Sequence, residues 1–288
     1  MKNVLRWVLI TGASDGLGRE IARVLGSKGW NLVLTARSRE KLESLCRDLA
    51  RDHGVEALPL VADLSREGAA EQLYHDCRGL WDRQGGAVTV SFLVNNAGSG
   101  LFGEGVELGS RAFPMLRLNI IAPTSLCALF GRDMKDRREG WILNIGSLTA
   151  NQPTPFFASY GASKSYIRNY SLALRQELAP FGVKVSCAQP GFIRTNFDEN
   201  SGVKSERYRR FSHKNGMPAH RVAKIAVRAA LSGRGLVNIG IANTFTAWFS
   251  KLLPLGLLSA ILARAVFALT GRETARQKLG EDKPLIKD

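Results

Sequence analysis

Thr11-Gly12-Ala13-Ser14-Asp15-Gly16-Leu17-Gly18 stands between an apolar run, residues 4–10, and a helical pattern carried by Leu17, Ile21, Val24 and Leu25. Strand, glycine turn and helix in that order form a cradle for phosphate. The helix N-terminus offers free N–H groups and the positive end of its dipole to an anion. In such a turn Gly12 permits the tight bend, Gly16 lets backbone approach a pyrophosphate, and Gly18 lets the helix lie close on the strand. An ordinary strand–helix loop is the plainer reading of the glycines, but the flanking elements favour nucleotide binding. Ser14, Asp15 and Leu17 complete the turn and join its candidate contacts.

Outward from this turn, apolar runs alternate with amphipathic segments. Strands are expected at 4–10, 31–35, 55–61, 90–94, 141–145, 183–188 and 236–241, and helices near 16–28, 38–52, 65–83, 107–133, 158–180 and 218–232. Most strand runs are continuously apolar, as in strands covered on both faces. Ser38, followed by Lys41 and Leu42, and Ser65, with Glu67 in the first turn, mark helix starts. The alternation predicts an α/β fold: a single doubly wound, Rossmann-type parallel sheet of about seven strands with helices on both faces. Residues 1–243 are expected to form this dinucleotide-binding and catalytic domain, and 244–288 an apolar helical extension with a polar tail.

At 288 residues, 45% of them hydrophobic, the chain can bury a large core. Cys46, Cys77, Cys127 and Cys187 lie far apart, with no C-x-x-C pair and no histidine at ligand spacing. They read as buried thiols in a reducing compartment, with no disulfide framework and no metal. The apolar run after Lys2 and Arg6 is too short for a secretory signal and leads straight into the glycine turn. A cytoplasmic protein is expected. The net charge of +15 concentrates between Lys204 and Arg234, where nine Lys or Arg residues meet one acid, Glu206. Such a segment attracts nucleic acid, anionic lipid or an acidic partner. Nucleic acid is disfavoured, because only Tyr208 and Phe211 could stack on bases and no recognition motif is present.

The residues that follow each strand carry the chemistry. Thr35-Ala36-Arg37-Ser38 offers no acid for a ribose 2′-hydroxyl, and Glu20, the one acid between Gly18 and Glu40, belongs to the first helix. Arg37 suits a 2′-phosphate and can stack on adenine, with Ser14 and Ser38 adding hydroxyls, so NADP is preferred over NAD. Asp63 either accepts from the adenine amino group, with Leu64 flanking the ring, or supplies charge to the next helix N-terminus. Asn95-Asn96-Ala97-Gly98 fits a cofactor-side loop and a plain turn equally well. Tyr160 and Lys164, four apart in a helical stretch, share a face. A nearby ammonium favours the phenolate, lowering a phenol from its usual value of about 10 towards neutrality. Such a tyrosine exchanges a proton with a developing alkoxide. Ser147, after the fifth strand, is placed to hold the same oxygen.

Together these residues resemble the short-chain dehydrogenase/reductase family. The glycine turn is similar to its T-G-x-x-x-G-x-G, Asn95–Gly98 to its N-N-A-G, and Tyr160/Lys164 to its Y-x-x-x-K, with Ser147 the expected distance before. Asn119, in Leu118-Asn119-Ile120, matches the asparagine of its Asn-Ser-Tyr-Lys tetrad, and Pro190-Gly191 with Thr195 resembles the segment that contacts the nicotinamide. The resemblance runs over residues 4–242 in order and spacing. It implies Tyr160 as acid/base and Lys164 on the nicotinamide ribose. Ser147 would polarise the carbonyl and Asn119 would support a water in a proton relay. Asp63 would be an adenine contact, and Asn95, Ala97 and Gly98 would lie on the cofactor side. It also implies a homodimer or homotetramer.

Leu101, Phe102, Leu148, Phe156, Phe157 and Phe192 suggest an apolar substrate pocket, and the basic stretch 196–217 is long enough to fold over a ligand. Residues 244–269 hold only Lys251 and Arg264 as charges, and the uncharged run 252–263 falls short of the ~20 residues a membrane span needs. A helix packed on the substrate mouth or on a subunit is favoured narrowly over peripheral membrane contact through Trp248, Phe249 and Phe267. The expected activity is NADP-dependent hydride transfer to a carbonyl on a hydrophobic molecule. Reduction of 3-oxoacyl thioesters, on carrier protein or CoA, is the alternative that the basic stretch raises. A nucleotide-sensing scaffold is the non-enzymatic alternative.

Overall fold

The computed structural model describes residues 6–240, 243–245, 248 and 252–271. Seven parallel strands form one sheet: β1 (Trp7–Thr11), β2 (Asn31–Ala36), β3 (Ala57–Val61), β4 (Val90–Asn95), β5 (Gly140–Ile145), β6 (Val183–Pro190) and β9 (Leu236–Ile239). Their spatial order is β3-β2-β1-β4-β5-β6-β9. A short parallel pair, β7 (Ile193–Arg194) and β8 (Met217–Pro218), lies outside it. Chain order reverses between β1 and β4, and such a switch point opens a crevice at the strands' carboxyl ends.

Strand residues feed two cores alternately. Val8 and Ile10 of β1, with Phe92 and Val94 of β4, meet α1 (Gly16–Gly26), α2 (Arg39–His53) and α10 (Ala219–Leu231). Trp7 and Leu9, with Leu93, meet α3 (Ala69–Arg78), α6 (Ala122–Arg137) and α7 (Ala158–Leu178) on the other face. Both faces are therefore dry, which is why these strands are continuously apolar.

Several elements differ in extent from the sequence expectation. Val4, Leu5 and Ile241, expected in strands, lie outside the described residues, and β3 starts at Ala57. Ser65 does not start a helix. Its N–H and hydroxyl donate to Asp63 Oδ1 (3.1 and 2.7 Å), closing a turn, and α3 begins at Ala69 after left-handed Gly68. The helix expected at 107–133 is a string of pieces: α4 (Gly105–Leu108), α5 (Ala112–Leu116), a π turn over Arg117–Ile121, and α6. Residues 105–137 together are long and apolar enough to cross a membrane, yet Leu126, Cys127, Phe130 and Met134 pack into the sheet's core. Between β7 and β8 lie α8 (Phe197–Asn200) and α9 (Glu206–Asn215). The C-terminal helix Leu255–Thr270 packs on α9, where Ser205 Oγ donates to the Leu269 carbonyl (2.7 Å).

Candidate active site

The glycine turn is built by contact as well as by composition. Gly12 adopts a positive φ of 66°, and a Cβ there would stand 2.9 Å from Ala97 Cα. A Cβ on Gly18 would fall 2.2 Å from the Gly12 carbonyl oxygen, so only glycine lets α1 start this close to the turn. Asp15 caps α1, accepting from the Gly16 N–H (2.7 Å), while Ser14 is half-buried and Leu17 is buried beneath the turn. The second turn is tied to the first. Thr11 Oγ1 accepts from the N–H groups of Asn96 and Ala97 (3.0 and 2.9 Å), and Asn96 Nδ2 donates to the carbonyls of Thr11 and Gly12 (2.9 and 3.2 Å). Thr11 and Asn96 lie inside the two motifs read from sequence, but neither was given a contact of its own there. Asn95 points away from the crevice, its Nδ2 donating to Asn144 Oδ1 (2.8 Å).

Arg37 is exposed at the end of β2, and no salt bridge among the described residues engages it. At the end of β3 burial pushes the Asp63 carboxyl up, but the two bonds from Ser65, with smaller help from the Arg37 charge, hold it below the usual carboxylate range. Ser38 is committed to capping α2, its Oγ accepting from Lys41 N (3.5 Å), and Leu64 is buried in the core. Pro190 ends β6, Gly191 follows it, and Thr195 is half-buried with its methyl facing the position beside Gly16.

Tyr160, Lys164, Ser147 and Asn119 come together from three elements and are all buried. Ser147 leaves β5 and its Oγ accepts from the Thr149 N–H (3.2 Å), while Gln189 Nε2 holds the Ser147 carbonyl (3.1 Å). Asn119 sits in the π turn, a local distortion often found at functional sites. Its Nδ2 donates to the Ser99 carbonyl (2.9 Å) and to Ser163 Oγ (3.1 Å), and its Oδ1 accepts from the Ser99 N–H (3.0 Å). Ser163 in turn donates to the Tyr160 carbonyl (2.7 Å), so Asn119 joins the loop after β4 to the tyrosine's helix. Lys164 Nζ donates to the Ile145 carbonyl (2.9 Å) and lies 5.9 Å from the Tyr160 ring centroid. Gly98 stands directly against Asn119 Oδ1 and Lys164 Nζ.

Electrostatics at this cluster differ from expectation. Burial pushes the Tyr160 phenol up to about 12; a hydrogen bond with Ser147 pulls the other way, and the Asp198 carboxylate adds to the rise. Burial also pulls the Lys164 ammonium down to about 8. The phenol is therefore not brought towards neutrality in the protein alone, because desolvation outweighs the Ser147 hydrogen bond. Asp198, in α8, was not anticipated. Burial holds its own carboxyl above the usual range, and Ser212 Oγ donates to it.

Above Tyr160 the side chains are apolar. Phe102, Met115, Phe157, Val203 and Tyr208 form one cluster with it, Phe197 stands 5.4 Å from its ring, and Val266 and Leu269 of the C-terminal helix close the outside. Phe267 meets Phe156 edge-on at 4.8 Å. Of the residues from which an apolar pocket was expected, Leu101, Phe102, Phe156 and Phe157 pack into this cluster with side chains of α8, α9 and the C-terminal helix, whereas Phe192 is exposed. A separate open groove of about 430 Å³ flanks the glycine turn between Asp15, Arg19, Arg23 and His220.

Fold and site define a nicotinamide-dependent oxidoreductase of the doubly wound α/β class. Residues 6–206 match the short chain dehydrogenase family model, and the chain belongs to that family. It is 32% identical over 238 residues to Hydroxysteroid dehydrogenase-like protein 1 of Gallus gallus, covering 81% of this chain and 69% of that one. It is 33% identical to a Very-long-chain 3-oxoacyl-CoA reductase of Podospora anserina, over 85% of this chain and 68% of that protein. A short-chain dehydrogenase from Sphingobium yanoikuyae, solved in complex with NADPH, superposes with a TM-score of 0.74 at 28% identity over 88% of this chain and 96% of its own. The glycine cradle, which any Cβ at Gly12 or Gly18 would fill, fits the pyrophosphate of such a cofactor.

Proposed function

We propose that the protein is an NADPH-dependent reductase of a carbonyl carried on an apolar molecule, with Tyr160 as proton donor. The observation that carries this reading is the phenol itself, buried among aromatic side chains, beside Ser147, and held protonated to about pH 12. A phenol in that state is ready to give a proton to an oxygen on which negative charge develops. When bound, the nicotinamide supplies the hydride. Ser147 orients the carbonyl oxygen, Lys164 holds the ribose hydroxyls, and Asn119 keeps the loop at Gly98 and the tyrosine's helix in register. The pyrophosphate belongs over residues 12–18, the adenine end near Asp63 and Arg37, and the carboxamide near Pro190, Gly191 and Thr195. Leu64, buried, supports the adenine end from beneath, as Asn95 supports the loop before Ala97 and Gly98. The reading takes 1–243 as the catalytic unit and 244–288 as an appendage, in a cytoplasmic homodimer or homotetramer able to work at a membrane surface.

A 3-oxoacyl thioester is the favoured substrate class within this reading. A long apolar chain suits the cluster of Phe102, Phe157 and Tyr208, and the exposed Lys204 and Arg207 beside it suit the phosphates of CoA. The name of the Podospora anserina relative points the same way.

Two variants test the proposal. Tyr160→Phe should lose about 10²–10⁴ in turnover with NADPH affinity nearly kept, because only the proton transfer is removed. Intact turnover would refute the mechanism. Fluorescence titration should find NADPH bound more tightly than NADH, and Arg37→Ala should erase the difference. An NADH preference in the wild type would overturn the role given to Arg37.

A further inference from the structure

The outward face of the C-terminal helix Leu255–Thr270 is apolar. Its inner side, Leu258, Leu262, Val266 and Leu269, faces the protein. On the outer side Leu255 is 61% exposed, Leu257 53% and Ile261 45%, with Phe267 exposed beyond them. Arg264 is the one charged residue in the helix. Trp248 and Leu252, just before it, are exposed as well. A surface helix ordinarily turns polar residues to water, and a set of large apolar side chains left outside marks a surface that meets something.

Charge identifies the partner. From Arg207 to Arg272 the sequence holds eleven Lys or Arg residues and no Asp or Glu. α9, tied to this helix through Ser205 and Leu269, exposes Lys204, Arg207 and Lys214 at and beside its ends, while Arg210 pairs with Glu206. We propose that this helix and the basic rim at α9 dock the protein on an anionic bilayer, the apolar face entering the headgroup boundary and the cations meeting lipid phosphates. A second copy of the chain is a poor occupant, because two-fold packing would set one predominantly basic stretch against another. Val266, Leu269 and Phe267 of the same helix cover the aromatic cluster at Tyr160, so docking brings the Tyr160 side of the molecule to the lipid. That this side carries the chemistry rests on the reductase reading; the docking does not.

Flotation of the full chain with phosphatidylcholine vesicles, with and without phosphatidylserine, tests it. Binding should require phosphatidylserine and weaken with salt. Leu257→Glu/Ile261→Glu should lower the bound fraction about tenfold or more, and Lys214→Glu should lower it as well, with melting temperature and NADPH titration unchanged. No binding to the anionic vesicles, equal binding to neutral ones, or binding undiminished in Leu257→Glu/Ile261→Glu would overturn the proposal. So would a dimer in sedimentation velocity that this variant alone dissolves, which would assign the face to a second copy. The lipid readout is independent of NADPH binding, so failure of one reading does not imitate failure of the other.

Discussion

At Tyr160 burial, reinforced by the Asp198 charge, outweighs the Ser147 hydrogen bond and keeps the phenol protonated. The ammonium of Lys164 bonds to the Ile145 carbonyl, whereas Asp198 contributes negative charge that keeps the phenol protonated. Alcohol oxidation needs the phenolate, so its rate should climb with pH towards the phenol's value of about 12. Removing the Asp198 charge lowers that value. In Asp198→Asn the rising limb of kcat for oxidation should therefore move to lower pH, while Asp198→Glu keeps the wild-type limb. Tyr208 and Lys164 face the same region and stay unchanged in both variants. An unmoved limb in Asp198→Asn would remove Asp198 from the electrostatics of the site. Tyr160 and Lys164 were legible in the chain because a four-residue spacing fixes a shared helix face. Asp198 was not, because nothing in its neighbours announces that α8 turns it towards a residue 38 positions earlier.

The π turn at Arg117–Ile121 and the loop after β4 show how an element is held in an irregular form. Asn119 satisfies both backbone groups of Ser99 and a buried hydroxyl, Ser163. Asn119→Ala should cost about 1–3 kcal/mol by leaving those groups unpaired, read as a lower urea midpoint, together with a fall in kcat. Full stability in that variant would show that water replaces the amide without loss. Apolar periodicity located helix here but could not locate the break, since an extra residue in one turn leaves the pattern nearly unchanged. Ser65 misled for a related reason: its hydroxyl bonds to Asp63 as readily as it would cap a helix. The C-terminal helix was readable as apolar; that its inner face covers Tyr160's cluster was one of the packing alternatives the chain left open.

Over the whole molecule, buried thiols set the alkaline limit of stability. Burial raises Cys46 and Cys187 to about 11, and Cys77 and Cys127 to about 12, from 9.0. Above about pH 9 the unfolded chain sheds these protons while the native one keeps them, so stability falls as pH rises. Lys164 acts the other way from about pH 8, where the native state deprotonates first, but the raised Tyr160 phenol sides with the four thiols against it. Urea midpoints should therefore drop between pH 9 and pH 11, and the drop should be shallower in Cys127→Ala; a flat profile would contradict the burial of the thiols. A doubly wound parallel sheet of about seven strands, the strand–glycine turn–helix unit and the shared helix face of Tyr160 and Lys164 were legible in the sequence itself, because local periodicity, glycine placement and helical spacing act over a few residues. Only the tertiary structure decided that Asn96 rather than Asn95 clasps the glycine turn, that the Asp198 charge acts on the phenol, and that the C-terminal helix lies over the aromatic cluster at Tyr160 with an apolar face outward. Those contacts join residues tens of positions apart, and burial, which sets their energies, exists only once the chain has packed.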